Sequence, residues 1–266
     1  MLSANGYDLH VERRGSGEPL LLIQGMTGHS LHWGEAFLRA LERDFELVLY
    51  DHRGVGRSAP SDGPFTIADL AADALAVLDG LDIESSHVLG ISMGGMVAQE
   101  LALAAPERVR TLTLGATFCG GPGARFTDES VVNALAVAIL SGDAERKIRA
   151  GWEFNVSPDF ATADGNFERF SEVAAQYPVA LGMILAQVQA IMGHDTSTRL
   201  EGIGAPTLVV HGSADQMLVA ANGEIVADLI PGARLELLDG VGHLFFWEQP
   251  EQTARLVREH AAATRP

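Results

Sequence analysis

A serine that could act as a nucleophile stands in the run Gly90-Ile91-Ser92-Met93-Gly94, after the apolar segment 87–89 and before a helical pattern over 93–105. In a nucleophile elbow, a serine occupies a sharp strand-to-helix turn and its hydroxyl projects above the sheet. Such a turn strains the backbone and requires small residues on both sides of the serine, which Gly90 and Gly94 supply. The run predicts a catalytic Ser92, although an ordinary Gly-rich turn with a bystander serine fits these five residues equally well.

A serine hydroxyl is a weak nucleophile at neutral pH and needs a histidine base that is oriented by a carboxylate. Among nine histidines, His243 follows the apolar segment 235–238 and a Gly-containing loop that can present an imidazole above a sheet. Asp215 follows the apolar segment 207–210, with room for one helix and one strand before His243. We therefore predict a triad of Ser92, Asp215 and His243. The alternative for Asp215 is an Asx-turn role, and His211 is assigned to packing or hydrogen bonding.

The reaction of a serine with a carbonyl group also needs donors for the developing oxyanion. The backbone N–H of Met93 follows the nucleophile, and the loop 24–28 after the apolar segment 20–23 offers the N–H of Met26. This loop is Gly-rich, but the Gly-x-Gly-x-x-Gly run of a dinucleotide site and the Gly-Lys-Ser/Thr run of a phosphate loop are both absent. We predict an oxyanion hole formed by Met26 and Met93.

Alternating strand and helix patterns surround these residues. An Asn5-Gly6 hairpin turn opens the chain. Short apolar or alternating segments predict strands at 7–13, 20–23, 46–50, 87–89, 111–114, 207–210 and 235–238. Helical spacing predicts helices at 66–81, 93–105, 219–229 and 249–263. This alternation indicates an α/β protein with a mostly parallel sheet covered on both faces, whose ligands bind at the carboxyl ends of the strands.

One long interval interrupts the alternation between the strands at 111–114 and 207–210. Helical patterns at 129–140 and 167–192 predict an inserted helical lid over 118–204, with the core formed by 1–117 and 205–266. The run Gly120 to Gly123 marks the start of the insertion, and a moving hinge or a plain loop fits it equally well.

Along nearly its whole length the chain resembles α/β-hydrolase-fold enzymes. The matching segments are Gln24-Gly25-Met26, the run from Asp51 to Ser58, the elbow 90–95, and Gly212 to Asp215 with Gly242-His243. The resemblance implies a mostly parallel eight-stranded sheet with helices on both faces and an inserted helical lid. It also implies that the run from Asp51 to Ser58 is a structural turn. Gln24 is a departure from the family pattern, in which many members have histidine at this position.

The run Ser92 to Gln99 and the run Ala105 to Val109 are similar to a branch of that family. This branch holds 3-oxoadipate enol-lactonase-like hydrolases, small carboxylesterases and cofactor-free haloperoxidase-like proteins. Dehalogenases and epoxide hydrolases of the fold place aspartate at the elbow, so Ser92 argues against both. We expect hydrolysis of an ester-like bond, a carboxylic ester or a lactone, through an acyl-enzyme that needs no metal or organic cofactor.

Other uses of the same fold stay open at this point. The triad also fits a perhydrolase, a thioesterase or a carbon–carbon bond hydrolase, and the fold fits a ligand receptor without turnover or a cofactor-free oxygenase. His29 and His32 lie in the loop near the predicted hole, where surface or packing roles are favoured. Side chains that could line a substrate pocket, with a core role favoured for most of those in the insertion, are Gln24, Phe118, Trp152, Phe154, Phe160, Met183, Met192 and Leu218.

Composition narrows the class of partner. The 266 residues are 47% hydrophobic and 20% charged, and no apolar run reaches the roughly 20 residues of a membrane span. A net charge of -17 opposes binding to nucleic acid, so a small-molecule substrate is the expected partner. Cys119 is the single cysteine and the start lacks the pattern of a secretory signal, so we expect a cytoplasmic protein. The oligomeric state, monomer or homodimer, is left open.

Overall fold

A seven-stranded sheet forms the centre of the molecule. The computed structural model of the protein describes residues 1–61 and 63–263. In these residues the sheet has the order β3-β5-β4-β6-β7-β8-β9, in which β3 is antiparallel to β5 and all other neighbours are parallel. The strands are β1 (Leu2–Ala4), β2 (Tyr7–Leu9), β3 (Val11–Gly15), β4 (Glu18–Ile23), β5 (Phe45–Tyr50), β6 (Ser86–Ile91), β7 (Val109–Gly115), β8 (Thr207–Gly212) and β9 (Arg234–Leu238).

Helices follow most of the parallel strands and also fill the long interval between β7 and β8. Their bounds are α1 (Glu35–Leu41), α2 (Ile67–Gly80), α3 (Met93–Ala104), α4 (Glu129–Leu140), α5 (Ala144–Asn155), α6 (Pro158–Thr162), α7 (Asn166–Ala174), α8 (Leu181–Met192), α9 (Ala221–Leu229), α10 (Phe245–Glu248) and α11 (Pro250–Ala262). The predicted α/β architecture with a mostly parallel sheet is confirmed.

The expected number of eight strands in the main sheet is wrong. The segment predicted as one strand over 7–13 divides at His10, whose N–H donates to Ser58 Oγ at 2.9 Å and whose carbonyl accepts from Asp51 N–H at 3.0 Å. These bonds to a loop replace sheet pairing. The part before His10 pairs only with β1 in a separate hairpin, and the part after it joins the main sheet as β3. The hairpin turns at Asn5 and Gly6, both with positive φ, as predicted.

Two apolar layers cover the main sheet because successive side chains of a strand point to opposite faces. One layer contains Leu21 of β4, Val88 of β6 and apolar side chains of α2, α3 and α9. The other takes Leu22 of β4 and Leu89 of β6 together with α1, α10 and α11. The carboxyl ends of the parallel strands remain between the two layers, where the predicted triad residues follow β6, β8 and β9.

The segment 118–204, called the cap below, holds the five helices α4 to α8. The pattern expected as one helix over 167–192 forms two, α7 and α8, because the intervening segment contains Pro178, whose ring and missing N–H end a helix. The cap has its own apolar centre, formed by Trp152, Val156 and Phe170, and Trp247 from the core packs against it. None of the described helices combines the length and apolarity of a membrane span.

The two chain segments that connect cap and core, 117–121 and 194–197, are called the neck. Gly120 and Asp195 form an antiparallel bridge, and Thr196 N–H donates to the Cys119 carbonyl at 2.8 Å. Buried Gln99 of α3 holds both segments, since its Nε2 donates to the Phe118 carbonyl at 3.1 Å and its Oε1 accepts from Thr196 Oγ1 at 2.6 Å. Gly120 is needed here for close packing, because a Cβ atom would collide with the His194 carbonyl oxygen.

A buried ion pair joins the loop after β5 to helix α2. Arg53 donates from Nε and Nη2 to the Asp73 carboxylate at 2.6 and 2.5 Å, and Asn5 Nδ2 donates to the same carboxylate at 2.9 Å. Asp73 has no exposed surface and the Arg53 guanidinium lies 4.0 Å from the centre of the Tyr7 ring. The pair therefore fixes the N-terminal hairpin and the β5 loop to one helix.

We expect Asp73→Ala to lower the free energy of unfolding by about 3–5 kcal/mol, because it leaves the buried Arg53 charge uncompensated. The matched control is Glu145→Ala, which removes an exposed ion pair with Arg149 and should lower stability by less than about 1 kcal/mol. Urea titration of both variants and the wild type measures the difference. Equal losses in the two variants would contradict a structural role for the buried pair.

Candidate active site

Ser92 occupies a strained position between β6 and α3. Its backbone has φ 55° and ψ -122°, and its N–H donates to the carbonyl of Gly115 at the end of β7 at 2.9 Å. The Ser92 carbonyl accepts from Gly95 N–H at 2.9 Å and from Thr117 Oγ1 at 2.7 Å. A non-glycine residue with positive φ persists only where its surroundings hold it, and such residues cluster at functional sites.

The glycines around Ser92 are required by contact as well as by backbone conformation. A Cβ atom at Gly94 would lie 2.5 Å from the carbonyl oxygen of Gln24 and closer still to that of Ile23. A Cβ atom at Gly95 would lie 2.6 Å from Cβ of Thr117. The N-terminus of α3 therefore lies directly on the carboxyl end of β4 and on the segment after β7. This close approach brings the nucleophile elbow and the loop after β4 together, as their predicted roles require.

Asp215 and His243 form a buried hydrogen-bonded pair. Nδ1 of His243 donates to Oδ2 of Asp215 at 2.7 Å, and both residues are more than nine-tenths buried. Oδ1 of Asp215 accepts the N–H groups of Met217 and Leu218 at 2.7 and 2.9 Å. With Nδ1 engaged, Nε2 is the ring nitrogen of His243 that is free to exchange a proton.

A second histidine contacts the same carboxylate. His211 Nε2 lies 3.1 Å from Oδ2 of Asp215 and 2.6 Å from the carbonyl oxygen of Leu218. Because a carbonyl oxygen only accepts, this nitrogen carries the proton and is shared between the two oxygens. Burial by itself raises the pKa of Asp215, but the charge of His243 and hydrogen bonds from both histidines outweigh it and hold that pKa well below its ordinary value. Asp215 therefore stays ionised at neutral pH.

The loop after β4 lies against Ser92, the predicted nucleophile. A Cβ atom at Gly25 would lie 3.1 Å from Cβ and 3.7 Å from Oγ of Ser92, so a side chain at this position would press on the serine. Gln24 is buried and its Oε1 accepts the N–H of Gly25 at 2.8 Å. The Gln24 amide thus supports the loop. Within the described residues, neither Met26 N–H nor Met93 N–H donates to another protein group, which leaves both available to an oxyanion.

The structure does not join all three triad residues by hydrogen bonds. It holds the Asp215–His243 bond, whereas no bond between Ser92 Oγ and His243 is formed in the described residues. The two loops are nevertheless neighbours, because a Cβ atom at Gly115 would lie 2.7 Å from the ring of Phe245, two residues after His243, and Gly115 accepts the Ser92 N–H. Catalytic hydrogen bonds are often long in free enzymes and shorten when substrate binds.

The cap contacts the histidine loop through Glu248. Oε1 of Glu248 accepts the N–H of Gly242 at 2.8 Å and the N–H of Ser157 at 2.9 Å, and Oε2 accepts the Ser157 hydroxyl at 2.5 Å. The N–H of Leu244 donates to the Asn155 carbonyl at 2.7 Å. Glu248 of α10 therefore holds the backbone before His243 together with Ser157 of the cap, and Asn155 of the cap holds the backbone after His243.

The residues proposed to line a pocket differ in their surroundings. Trp152 packs inside the cap against Phe160 and Phe170, and its indole N–H donates to the Ala161 carbonyl, so the structure gives it a packing role. Phe154 is half-buried on the same helix, and Met192 is exposed. The predicted positions nearest the triad loops are Gln24, in the loop that touches Ser92, and Leu218, whose N–H donates to Asp215.

Phe118 and Met183 lie where cap and core meet. Phe118 is buried in the neck, where its carbonyl accepts from Gln99. Met183 packs on Gly54 and lines a groove of about 680 Å³ between that turn and α8. A second recess of about 530 Å³ lies within the cap beside Arg149 and Phe167. Neither recess is lined by Ser92, Asp215 or His243, and neither one marks the substrate site by itself.

The run from Asp51 to Ser58 forms a structural turn, as the resemblance implied. The Asp51 carboxylate accepts the N–H groups of Ser30 and Arg57 at 2.7 and 2.9 Å, and Ser58 Oγ donates to the Asp51 carbonyl at 2.5 Å. His29 and His32 pack beside this turn with ring centres 4.0 Å apart, and the cap residues Tyr177 and Phe170 cover them. Packing is therefore the role that the structure gives to both histidines.

Sequence reasoning missed the polar residues that connect the cap to the catalytic loops. Gln99, Glu248 and Gln187 are buried or half-buried and bond to Thr196, Ser157 and Thr27, which lie far away in the chain. The one available signal was a glutamine within the apolar pattern of α8. Among the described residues, no group of three or more histidine, cysteine, aspartate or glutamate side chains is arranged to hold a metal ion.

Comparisons with known proteins agree with this arrangement. The profile of the α/β-hydrolase fold family matches residues 18–250. The chain is 32% identical over 246 residues to RutD of Azorhizobium caulinodans, whose provisional name is carbamate hydrolase, with 92% of this chain and 91% of RutD covered. It is 29% identical over 272 residues to the rhodomycin D methylesterase DnrP of Streptomyces peucetius, with 92% of this chain and 91% of DnrP covered.

A similar fold is found in a solved structure. The crystal structure of the enol-lactonase from Burkholderia xenovorans LB400 superposes with a TM-score of 0.85, at 25% sequence identity, and covers 98% of both chains. The names of these three proteins specify a carbamate hydrolase, a methylesterase and an enol-lactonase, and each matches this chain over nearly its full length.

Loss of the Glu248 carboxylate should loosen the histidine loop. We expect Glu248→Ala to lower the free energy of unfolding by about 3 kcal/mol, since a carboxylate with three hydrogen bonds is lost, and to speed exchange of the Gly242 amide. Hydrogen exchange and urea titration measure the two effects. Glu251→Ala, in the exposed first turn of the next helix, is the control and should leave the Gly242 amide unchanged. Unaltered exchange in Glu248→Ala would contradict the contact.

Stability should fall as the pH drops below about 6.5. Burial lowers the pKa of His29 to about 4, against the opposing Asp51 carboxylate, and burial lowers the pKa of His32 to about 3. The unfolded chain binds these protons below its ordinary pKa of about 6.5 while the folded chain does not, so acid favours unfolding until the pH falls below the folded values.

The change can be measured by urea titration at pH 7.5 and pH 5. His29 alone should contribute about 2 kcal/mol of the loss at pH 5, since each pKa unit corresponds to about 1.4 kcal/mol. His29→Asn should therefore show a smaller difference between the two pH values than the wild type. An identical pH dependence in this variant would show that His29 is not buried in its neutral form.

Proposed function

The chain belongs to the α/β-hydrolase fold family, and on that premise we propose that it cleaves a carboxylic ester or lactone of a small organic substrate through an acyl-enzyme on Ser92. That it is a hydrolase acting on ester-type bonds follows from the family and its relatives. The residue roles below are the proposal. The observation that carries them is the buried bond of 2.7 Å between Asp215 and His243, on a loop adjacent to a strained Ser92.

In the acylation step, Oγ of Ser92 attacks the carbonyl carbon while its proton passes to Nε2 of His243. Asp215 holds Nδ1 of the imidazole and stabilises the imidazolium that forms. The tetrahedral intermediate then expels the alkoxide, which takes the proton from Nε2 and becomes the alcohol. In a lactone the same atoms react, but the alcohol stays attached to the acyl group.

In the deacylation step, His243 takes a proton from water as the water oxygen attacks the acyl carbon. Collapse of the second tetrahedral intermediate returns the proton to Ser92 Oγ and releases the carboxylic acid. In both intermediates the negative oxygen accepts the N–H groups of Met26 and Met93. The N-terminus of α3 adds its positive end to the same place. No step requires a metal ion or an organic cofactor.

Substrate choice belongs to the cap in this proposal, with 118–204 as its extent and 1–117 with 205–266 as the catalytic core. Its helices cover the histidine loop through Ser157 and the loop after β4 through Gln187. A carbamate is a second candidate substrate, because RutD is the relative with the higher identity of the two described above. Its carbonyl would meet the same nucleophile and the same donors.

We expect Ser92→Ala to lower kcat by several powers of ten while the fold is retained, since the variant lacks the atom that forms the acyl-enzyme. The measurement is turnover of a panel of aryl esters, lactones, thioesters and carbamates. It is paired with labelling by a fluorophosphonate and peptide mapping of the adduct. Ser58→Ala, which alters a serine of the structural turn, is the control and should keep the label on Ser92.

The outcomes separate the proposal from its alternatives. Turnover by Ser92→Ala at the wild-type rate would contradict the acyl-enzyme. A wild type that takes no label and consumes oxygen would favour a cofactor-free oxygenase. A wild type that binds panel members without turnover would favour a receptor. Greatest activity with peroxide as the acceptor, or with thioesters, would assign the same triad to a perhydrolase or a thioesterase.

A further inference from the structure

A buried glutamine of the cap reaches the loop after β4. Gln187 lies on α8, has no exposed surface, and is surrounded along its helix by apolar residues such as Ile184 and Ala190. Its Oε1 accepts the backbone N–H of Thr27 at 2.9 Å, across 160 residues of sequence. Burial of an amide is unfavourable unless it is hydrogen-bonded, so a packing role alone would favour an apolar residue at this position.

Thr27 has the least favourable backbone conformation in that loop. Its φ of 60° lies in the left-handed region, which a β-branched residue adopts only when its surroundings hold it there. The residues on either side are held by the core, since Gly25 N–H donates to Gln24 Oε1, Gly28 N–H donates to the Gly25 carbonyl at 3.1 Å, and His52 Nε2 donates to the Gln24 carbonyl at 2.9 Å. Among the described residues, Gln187 alone bonds to the Met26–Thr27 peptide.

Fixing this peptide also fixes the direction of the donor next to it. A peptide unit is planar, so the N–H of Thr27 and the carbonyl of Met26 turn together. A rotation that released Thr27 from its left-handed conformation would turn the backbone at Met26, whose own N–H has no protein acceptor. Gly25, the preceding residue, lies beside Ser92, since a Cβ atom there would lie 3.1 Å from Cβ of the serine. A change at Thr27 is therefore transmitted to the position where the oxyanion forms.

We propose that Gln187 is a positioning residue for the oxyanion hole: by holding the Thr27 N–H, the cap fixes the orientation of the Met26 N–H toward the reacting oxygen. This inference rests on the proposed function, in which Met26 supplies one of the two donors. Donors aimed in advance at the developing charge stabilise the transition state more than the substrate, because no reorganisation is needed during the reaction. The hole is then complete only while α8 is seated on the core.

The test compares Gln187→Leu with Gln189→Leu in the full-length protein. Gln189 lies on the same helix but is exposed, and it forms no hydrogen bond with the described residues of the loop, so its variant controls for the loss of an amide from α8. Both variants and the wild type are titrated with a fluorophosphonate, so that kcat is counted per reactive Ser92. The kinetic readouts are kcat and KM for an ester that the wild type hydrolyses. Affinity for a trifluoromethyl ketone, whose adduct with serine carries the oxyanion, is the third readout.

We expect Gln187→Leu to lower kcat between about tenfold and about a hundredfold, less than the 10²–10³-fold loss known for deletion of a hole donor. KM should change little, and affinity for the ketone should fall by the same factor as kcat/KM. The Thr27 amide should exchange faster with solvent. Gln189→Leu should match the wild type in every readout.

A purely structural role gives a different result. In that case Gln187→Leu lowers the fraction of titratable Ser92 and the unfolding midpoint, while kcat per titrated site and ketone affinity equal those of the wild type, and the inference is wrong. A wild type that neither labels nor turns over any member of the ester panel overturns the proposed function itself, and the inference with it. An active wild type with an unchanged Gln187→Leu overturns the inference alone.

Discussion

Gly94 has room for no atom larger than hydrogen, because the carbonyl oxygens of Ile23 and Gln24 occupy the place of a side chain. This steric constraint determines how closely α3 approaches the end of β4. It puts the first turn of a helix, with its unpaired N–H groups, beside the loop that begins at Gln24. Beside this approach Ser92 has a positive φ, and Gly25 leaves no room for a side chain next to the serine. The proposed catalytic arrangement depends on the contact between the first turn of α3 and the loop after β4.

Burial of charge is the second principle of the site. Asp215 accepts hydrogen bonds from two histidines and two backbone N–H groups, so protein groups satisfy its buried carboxylate. A buried charge is tolerated only under such conditions. His211, assigned from sequence to packing or hydrogen bonding, does both, since it lies in the core and also binds the acid and the Leu218 carbonyl. The acid of the site is thus held in one protonation state by its surroundings.

The sequence predicted well what local patterns encode. Apolar runs located six of the seven strands of the main sheet. Gly90 and Gly94 located the turn at Ser92, because a tight turn requires small residues and both of them lie two positions from the serine. Prediction failed where the local structure depends on a contact between residues distant in sequence. His10 left the sheet because Ser58 and Asp51 bind its backbone. Gln187 could not be paired with Thr27, nor Glu248 with Ser157, from spacing alone. The split of one expected helix at Pro178 is an exception, since its cause was visible in the chain.

The hydrogen bonds of Gln99 affect how the cap of such a protein can change in sequence. One side chain on α3, the helix that follows Ser92, holds the carbonyl of Phe118 and the hydroxyl of Thr196, one in each of the two segments of the neck. A foreign cap attached here keeps both bonds only if position 196 carries a hydroxyl group, because the other partner is a backbone carbonyl that any residue supplies. Cap surfaces that contact neither the loop after β4 nor the histidine loop are free to change sequence and length. The neck therefore fixes the two positions at which the cap is attached. Residues of the cap can be exchanged between these positions to change substrate specificity, while the core that carries Ser92, Asp215 and His243 keeps its sequence.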